Sequence, residues 1–276
     1  MRRAIKLVFF YFAYQLGITY LIGFPIGFIK AINSTSGTES IAYAAGHNVA
    51  GMTGILMMLA GIAMVWHLIH FNYVKFNKAT WNEVPVKTIL LSIPFIVAAM
   101  FIANIASETI ELPNWMEDTF IGLSKSFFGL VSIVIMAPLV EELLFRGAIE
   151  GHFLQEGRTP KMAIFLSALI FGIIHINPAQ VPFAFFLGLI FGWLYYRTGS
   201  VVPGIVGHFL NNLISAIGIA TSTKEELSQK TVDLIGTWPT YILFAIAIVV
   251  FIGMFHYLNK HLPQPKKAIE VINEEA

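Results

Sequence analysis

Two adjacent carboxylates, Glu141 and Glu142, lie inside one of the most apolar stretches of this 276-residue chain, and Arg146 follows four residues after the second. A charged residue at mid-membrane costs about 2.5–3.5 kcal/mol on insertion scales, so these groups require compensation. Glu142 and Arg146 share one helix face, with the glutamate N-terminal, the favourable order for a pair. Glu141 lies about 100° round the helix from Glu142 and is free of that pair. The spacing separates their roles: Glu142 is expected to be structural and Glu141 is the candidate general base. Pro138, which has no backbone donor, is expected to kink or loosen the helix just before them.

Two more polar pairs stand in apolar runs at four-residue spacing, Phe171 with His175 and His208 with Asn212. Each pair shares a helix face. A glutamate, two histidines and an asparagine on three helices are enough to hold a water molecule or a metal ion. Neutral imidazole ligates zinc or takes part in proton transfer, and an asparagine amide can donate to a developing oxyanion. His47, His67, His70, His152, His256 and His261 fall outside these pairs and are read as structural or interfacial.

The elements that position these residues follow from composition. Hydrophobic residues make up 57% of the chain and charged residues 12%, against about 25% charged in soluble domains. Lipid is the solvent that suits such a surface. The net charge of +1 gives no argument for a nucleic-acid partner,. The absence of cysteine excludes disulfides, thiolate metal ligands and a thiol nucleophile,. The basic start and long apolar run read as a first transmembrane helix that stays, not a cleaved signal.

A spanning helix needs about 20 apolar residues. Segments near 7–29, 49–71, 86–106, 121–145, 162–176, 181–196, 201–220 and 238–257 qualify or nearly so, the fifth and sixth being short. Arg2, Arg3, Lys6, Lys75, Lys78, Lys87, Arg158, Lys161, Arg197, Lys260, Lys266 and Lys267 then fall on one side, and Glu108, Glu111, Glu117 and Asp118 on the other. By the positive-inside rule both termini are cytoplasmic. The expected fold is an all-α polytopic membrane protein of about eight helices. Residues 1–120 supply three helices, 121–220 a catalytic core, 221–260 the last helix and 261–276 a disordered polar tail,.

Depth poses a test. His175 lies about 22 Å along a straight helix from Pro160, and Glu141 matches it only if the fourth helix runs on to about Gln155. His208, about 10 Å in from Val201, is too shallow unless tilt, a kink at Pro138 or a water-filled cavity intervenes.

Taken in order, Glu-Glu-x-x-x-Arg (Glu141, Glu142, Arg146), Phe-x-x-x-His (Phe171, His175) and His-x-x-x-Asn (His208, Asn212) resemble the CPBP family of intramembrane proteases. That family includes CAAX prenyl endoproteases and bacterial Abi or bacteriocin-immunity proteins. The resemblance covers roughly 120–220 and implies an eight-helix membrane core that hydrolyses peptide bonds. It implies that Glu141 and His175 activate water and that His208 and Asn212 stabilise the oxyanion, with Glu142, Arg146 and Phe171 in support. The family is often labelled metalloprotease. No His-Glu-x-x-His is present,, yet Glu141, His175 and His208 could build an open zinc site. Metal-free and zinc-bound water stand side by side as options.

The implied partners are a peptide or membrane-protein substrate, cut near its C-terminus or a membrane-proximal segment, and the lipid bilayer. Nothing points to nucleic acid, and no oligomeric state follows. The compact chain looks bacterial, a multi-pass protein of the cell membrane. Two other classes compete. Intramembrane Glu, Arg and His also mark transporters or proton relays, which predicts inverted repeats, and none is visible. A non-enzymatic immunity or regulatory protein would keep the fold, and a substitution at a motif position would favour it. None occurs.

Overall fold

The computed structural model describes residues 1–26, 38–75, 78–227 and 229–262, with backbone alone at 38–48, 78, 79 and 224. Helices dominate, and no strand forms among the described residues beyond one isolated bridge between Trp81 and Ser200. The long helices are α1 (Arg2–Ile26), α2 (Thr38–His70), α3 (Val86–Ile110), α4 (Phe127–Gln155), α5 (Pro160–Ile173), α6 (Val181–Thr198), α7 (Val202–Thr221) and α8 (Thr237–His261). All but α5 contain a segment long and apolar enough to cross a membrane. α5, with 14 residues, reaches about 21 Å and stops short of a full span. The chain is thus a multi-pass membrane protein. The last residues of the expected first span, 27–29, and most of the expected polar tail, 263–276, lie outside the described residues.

The fourth span differs from its expected bounds of 121–145. A separate helix covers Glu117–Ser124, and α4 starts at Phe127, where the Ser126 hydroxyl accepts from Gly129 N–H at 3.4 Å. α4 then continues to Gln155. Hydropathy stops too early because Arg146 and Glu150 read as a helix end, whereas both are fully buried against other helices. The longer α4 supplies the depth that Glu141 needs to meet the other motifs.

α4 is central. Its most apolar window is 56% buried, against 6% for α1 and 11% for α8. One core cluster joins α4 to α2, α5 and the α6–α7 link through Met64, Leu144, Phe145, Phe171 and Val201. A second joins α3, α6 and α8 through Phe95, Phe191 and Leu194, with Phe251 stacked on Phe95 at 4.8 Å. Arg197, at the end of α6, ties down the end of α8, donating to the carbonyls of Asn259 (2.8 Å) and Leu262 (3.1 Å).

The apparent shallowness of His208 has a simple cause. The α6–α7 link is itself buried: Ser200 and Val201 are fully covered, Val201 N–H donates to Thr80 O at 3.0 Å, and Asn82 donates to Thr198 O at 2.9 Å. α7 therefore begins inside the molecule, and seven residues carry His208 to the level of Glu141.

Candidate active site

Two π-type stretches, Ser132–Met136 and Leu143–Glu150, bracket the glutamates of α4. The first coincides with the expected effect of Pro138. Ala137 N–H donates to Ser132 O, five residues back, and Pro138 has no N–H to give. The Ile133 carbonyl thereby loses both helical donors. Asn212 Nδ2 reaches across from α7 and donates to it at 2.7 Å, while Asn211 Nδ2 donates to Asn212 Oδ1 at 3.0 Å.

Glu142 and Arg146 are fully buried and form an ion pair at 3.1 Å that is not aligned as a hydrogen bond. Arg146 Nη2 donates to Gly188 O at 3.3 Å, and its guanidinium lies 4.5 Å from the Phe171 ring and 5.5 Å from the Phe191 ring. Desolvation of such a pair is repaid only by contacts of this kind. The carboxylate fits because position 204 is glycine: a Cβ there would stand 2.5 Å from Glu142 Oε2.

Glu142 is more than structural, however. Its Oε1 lies 3.3 Å from His208 Nδ1. Glu141 points elsewhere, as the helix offset requires. Its Oε1 accepts from the Tyr11 hydroxyl at 3.2 Å. Its Oε2 lies 3.9 Å from His208 Nε2 and has no hydrogen-bond partner. His208 therefore has one carboxylate at each ring nitrogen.

His175 follows the end of α5. Its Nδ1 is 2.8 Å from Phe171 O, and its ring meets the Phe171 ring edge-on at 5.0 Å. His208 meets the same ring edge-on at 5.7 Å. One buried phenyl thus lies against both imidazoles and Arg146, and His175 makes no ion pair with either glutamate. The next residue, Ile176, has φ +58°, a region that costs a β-branched residue about 1–3 kcal/mol. Asn177 holds the turn, accepting from Trp115 N–H at 2.9 Å and donating to Asn114 Oδ1 at 2.8 Å.

Among the described residues no group of three His, Asp or Glu side chains is arranged to hold a metal ion. Glu141 and His208 are neighbours, but His175 is not beside them, so this arrangement of the three donors does not fit zinc.

The structure brings Glu141, Glu142, Arg146 and His208 to one cluster and places Phe171, His175 and Asn212 at its edge; sequence reasoning named all seven. It missed Tyr11, which looks like any aromatic in an apolar helix. It also missed Asn177, although Asn-Pro is a turn signal. It missed Glu150 too, although 142, 146 and 150 share a helix face. Glu150 is fully buried with neither oxygen hydrogen-bonded, and a Cβ at Gly192 would stand 2.6 Å from its Oε2.

Residues 123–214 match the family model described as "Type II CAAX prenyl endopeptidase Rce1-like". All three motifs, from Glu141 to Asn212, fall within that matched segment, so it is over this stretch that the chain is similar to the family. A Bacillus subtilis (strain 168) protein described as "Putative membrane peptidase YdiL" is 29% identical over 100 residues, 36% of this chain and 41% of that relative. The matched region thus covers less than half of either protein. No solved structure matches.

Proposed function

We propose that this chain is an intramembrane endopeptidase that hydrolyses a peptide bond near the C-terminus or in a membrane-proximal part of its substrate. The observation that carries the reading is the buried Glu141–His208 pair, in which an unpartnered carboxylate oxygen faces an imidazole nitrogen at 3.9 Å. A separation above hydrogen-bonding distance between two acceptor-capable groups suits a bridging water. Glu141 takes a proton from that water as its oxygen attacks the scissile carbonyl carbon, and returns it to the leaving amine nitrogen. His208, oriented by Glu142, shares the water or faces the developing oxyanion. Asn212 has a second amide proton beyond the one given to Ile133 O and can add to that stabilisation. His175 stands across the Phe171 ring from His208, and the family resemblance gives it a share with Glu141 in activating the water.

Glu141→Ala and His175→Ala, in a cell-based assay of substrate processing or bacteriocin resistance, test this. Loss of function at normal protein level supports hydrolysis. Full function in Glu141→Ala points instead to a binding role.

A further inference from the structure

Tyr11 lies on α1, far in sequence from every motif, yet its hydroxyl donates to Glu141 Oε1 at 3.2 Å. α1 packs on the central core through half-buried side chains, among them Val8, Phe10 and Phe12. From Arg2 to Ile18 only Ala4 and Leu7 are buried. Tyr14, one turn further along the same helix, has its hydroxyl 3.0 Å from His67 Nδ1, away from the glutamates.

The consequence is an asymmetry between the two carboxylate oxygens. Oε1 is occupied by Tyr11. Oε2 is buried, has no hydrogen-bond partner and faces His208 Nε2 at 3.9 Å. A carboxylate on a two-torsion stem can otherwise rotate and present either oxygen. We infer that Tyr11 is a positioning residue for the reaction proposed above: its phenol holds Glu141 so that Oε2, and not Oε1, meets the attacking water. This rests on the hydrolase reading, and it makes α1, which lies outside the family-matched segment, part of the working site.

The test uses the full chain in detergent, with a quenched fluorescent farnesylated CAAX peptide as probe and rates expressed per folded protein. Tyr11→Phe keeps the ring and removes the hydroxyl. Hydrogen bonds to charged groups correspond to about ten- to hundredfold in rate, so kcat is expected to fall by at least about tenfold with KM unchanged, while Tyr14→Phe stays near wild type. A Tyr11→Phe rate equal to wild type overturns the inference, as do equal losses in Tyr11→Phe and Tyr14→Phe.

Thermal unfolding of wild type, Tyr11→Phe, Glu141→Gln and the double variant supplies a readout that needs no substrate. Coupling between the two positions supports the contact, and additive shifts overturn it. An inactive Glu141→Gln beside a fully active Tyr11→Phe removes this inference and leaves the hydrolase reading standing. A fully active Glu141→Gln removes the hydrolase reading first. A wild-type chain that leaves the probe uncut argues against that substrate class, and Tyr11 is then judged on the unfolding cycle.

Discussion

Asn212 Nδ2 donates to the carbonyl of Ile133 at 2.7 Å, and the reason lies five residues beyond Ile133, at Pro138. The missing proline N–H and the π-shifted Ala137 N–H leave that carbonyl without a helical donor. Asn212→Ala is expected to destabilise by about 1–3 kcal/mol, the cost of orphaning a buried acceptor. In a Pro138→Ala background the restored N–H can serve the carbonyl, so the loss shrinks. Thermal unfolding of the four proteins decides, and equal losses in both backgrounds contradict the relationship. Activity is a separate readout: if Asn212 also faces the oxyanion, Pro138→Ala rescues stability but not rate.

Glu142→Ala leaves Arg146 buried without its carboxylate, and removing one partner of such a pair costs about 3–5 kcal/mol. Arg146→Lys is expected to behave as a loss as well, because an ammonium cannot reproduce the planar stack over Phe171 while reaching Gly188 O,. Unfolding midpoints of purified protein check both. A lysine variant as stable as wild type argues against the stacking role.

Gly204 and Gly218 lie on the same helix and predict opposite outcomes. A Cβ at 204 would stand 2.5 Å from the fully buried Glu142 carboxylate, whereas one at 218 meets nothing within 4 Å. Gly204→Ala is expected to cost about 1–3 kcal/mol by overpacking and to lower activity through His208. Gly218→Ala is expected to be neutral or stabilising by up to about 1 kcal/mol from helix propensity. Similar effects at both positions would contradict the close fit of Glu142 against Gly204.

The Phe171 ring bears on His175 (5.0 Å), His208 (5.7 Å) and the Arg146 guanidinium (4.5 Å). Phe171→Leu retains apolar volume but loses these aromatic contacts, each about 0.5–1.5 kcal/mol. The expected result is a fall in kcat of about tenfold or more with a smaller change in stability. An unchanged kcat in Phe171→Leu means that the ring does not set the imidazoles.

Outside the spans, Lys230 hydrogen-bonds to and attracts Glu111, which holds that carboxyl below the usual carboxylate range, and Glu111 in turn raises the Lys230 ammonium. The contribution of Glu111 is present above its unfolded-state pKa and is lost as pH falls through the folded one. That of Lys230 is present below its unfolded value and is lost as pH rises through the folded one. The tie therefore holds across neutral pH. Lys230→Ala is expected to return Glu111 to the ordinary carboxylate range, read by carboxyl-carbon NMR, with little change in unfolding because the pair is exposed. An unmoved Glu111 titration contradicts the pairing.

The sequence alone determined the solvent, the helical class and the polar residues of the central cluster. Its low charge content forces lipid exposure, and ionisable groups in apolar helices stand out because burial makes them costly. The Glu142–Arg146 pair was legible because helix spacing is local. Tertiary structure decided what depends on separate helices meeting: the length of α4, the depth of His208, the double role of Glu142 and the arrival of Tyr11. Hydropathy ended the fourth span near Phe145 because it treats Arg146 and Glu150 as though they faced lipid, whereas they face α6, where the Gly188 carbonyl accepts from Arg146 and the glycine at 192 makes room for Glu150. No local rule places Tyr11 against Glu141, because a contact across 130 residues is fixed by how helices pack and not by the residues on either side.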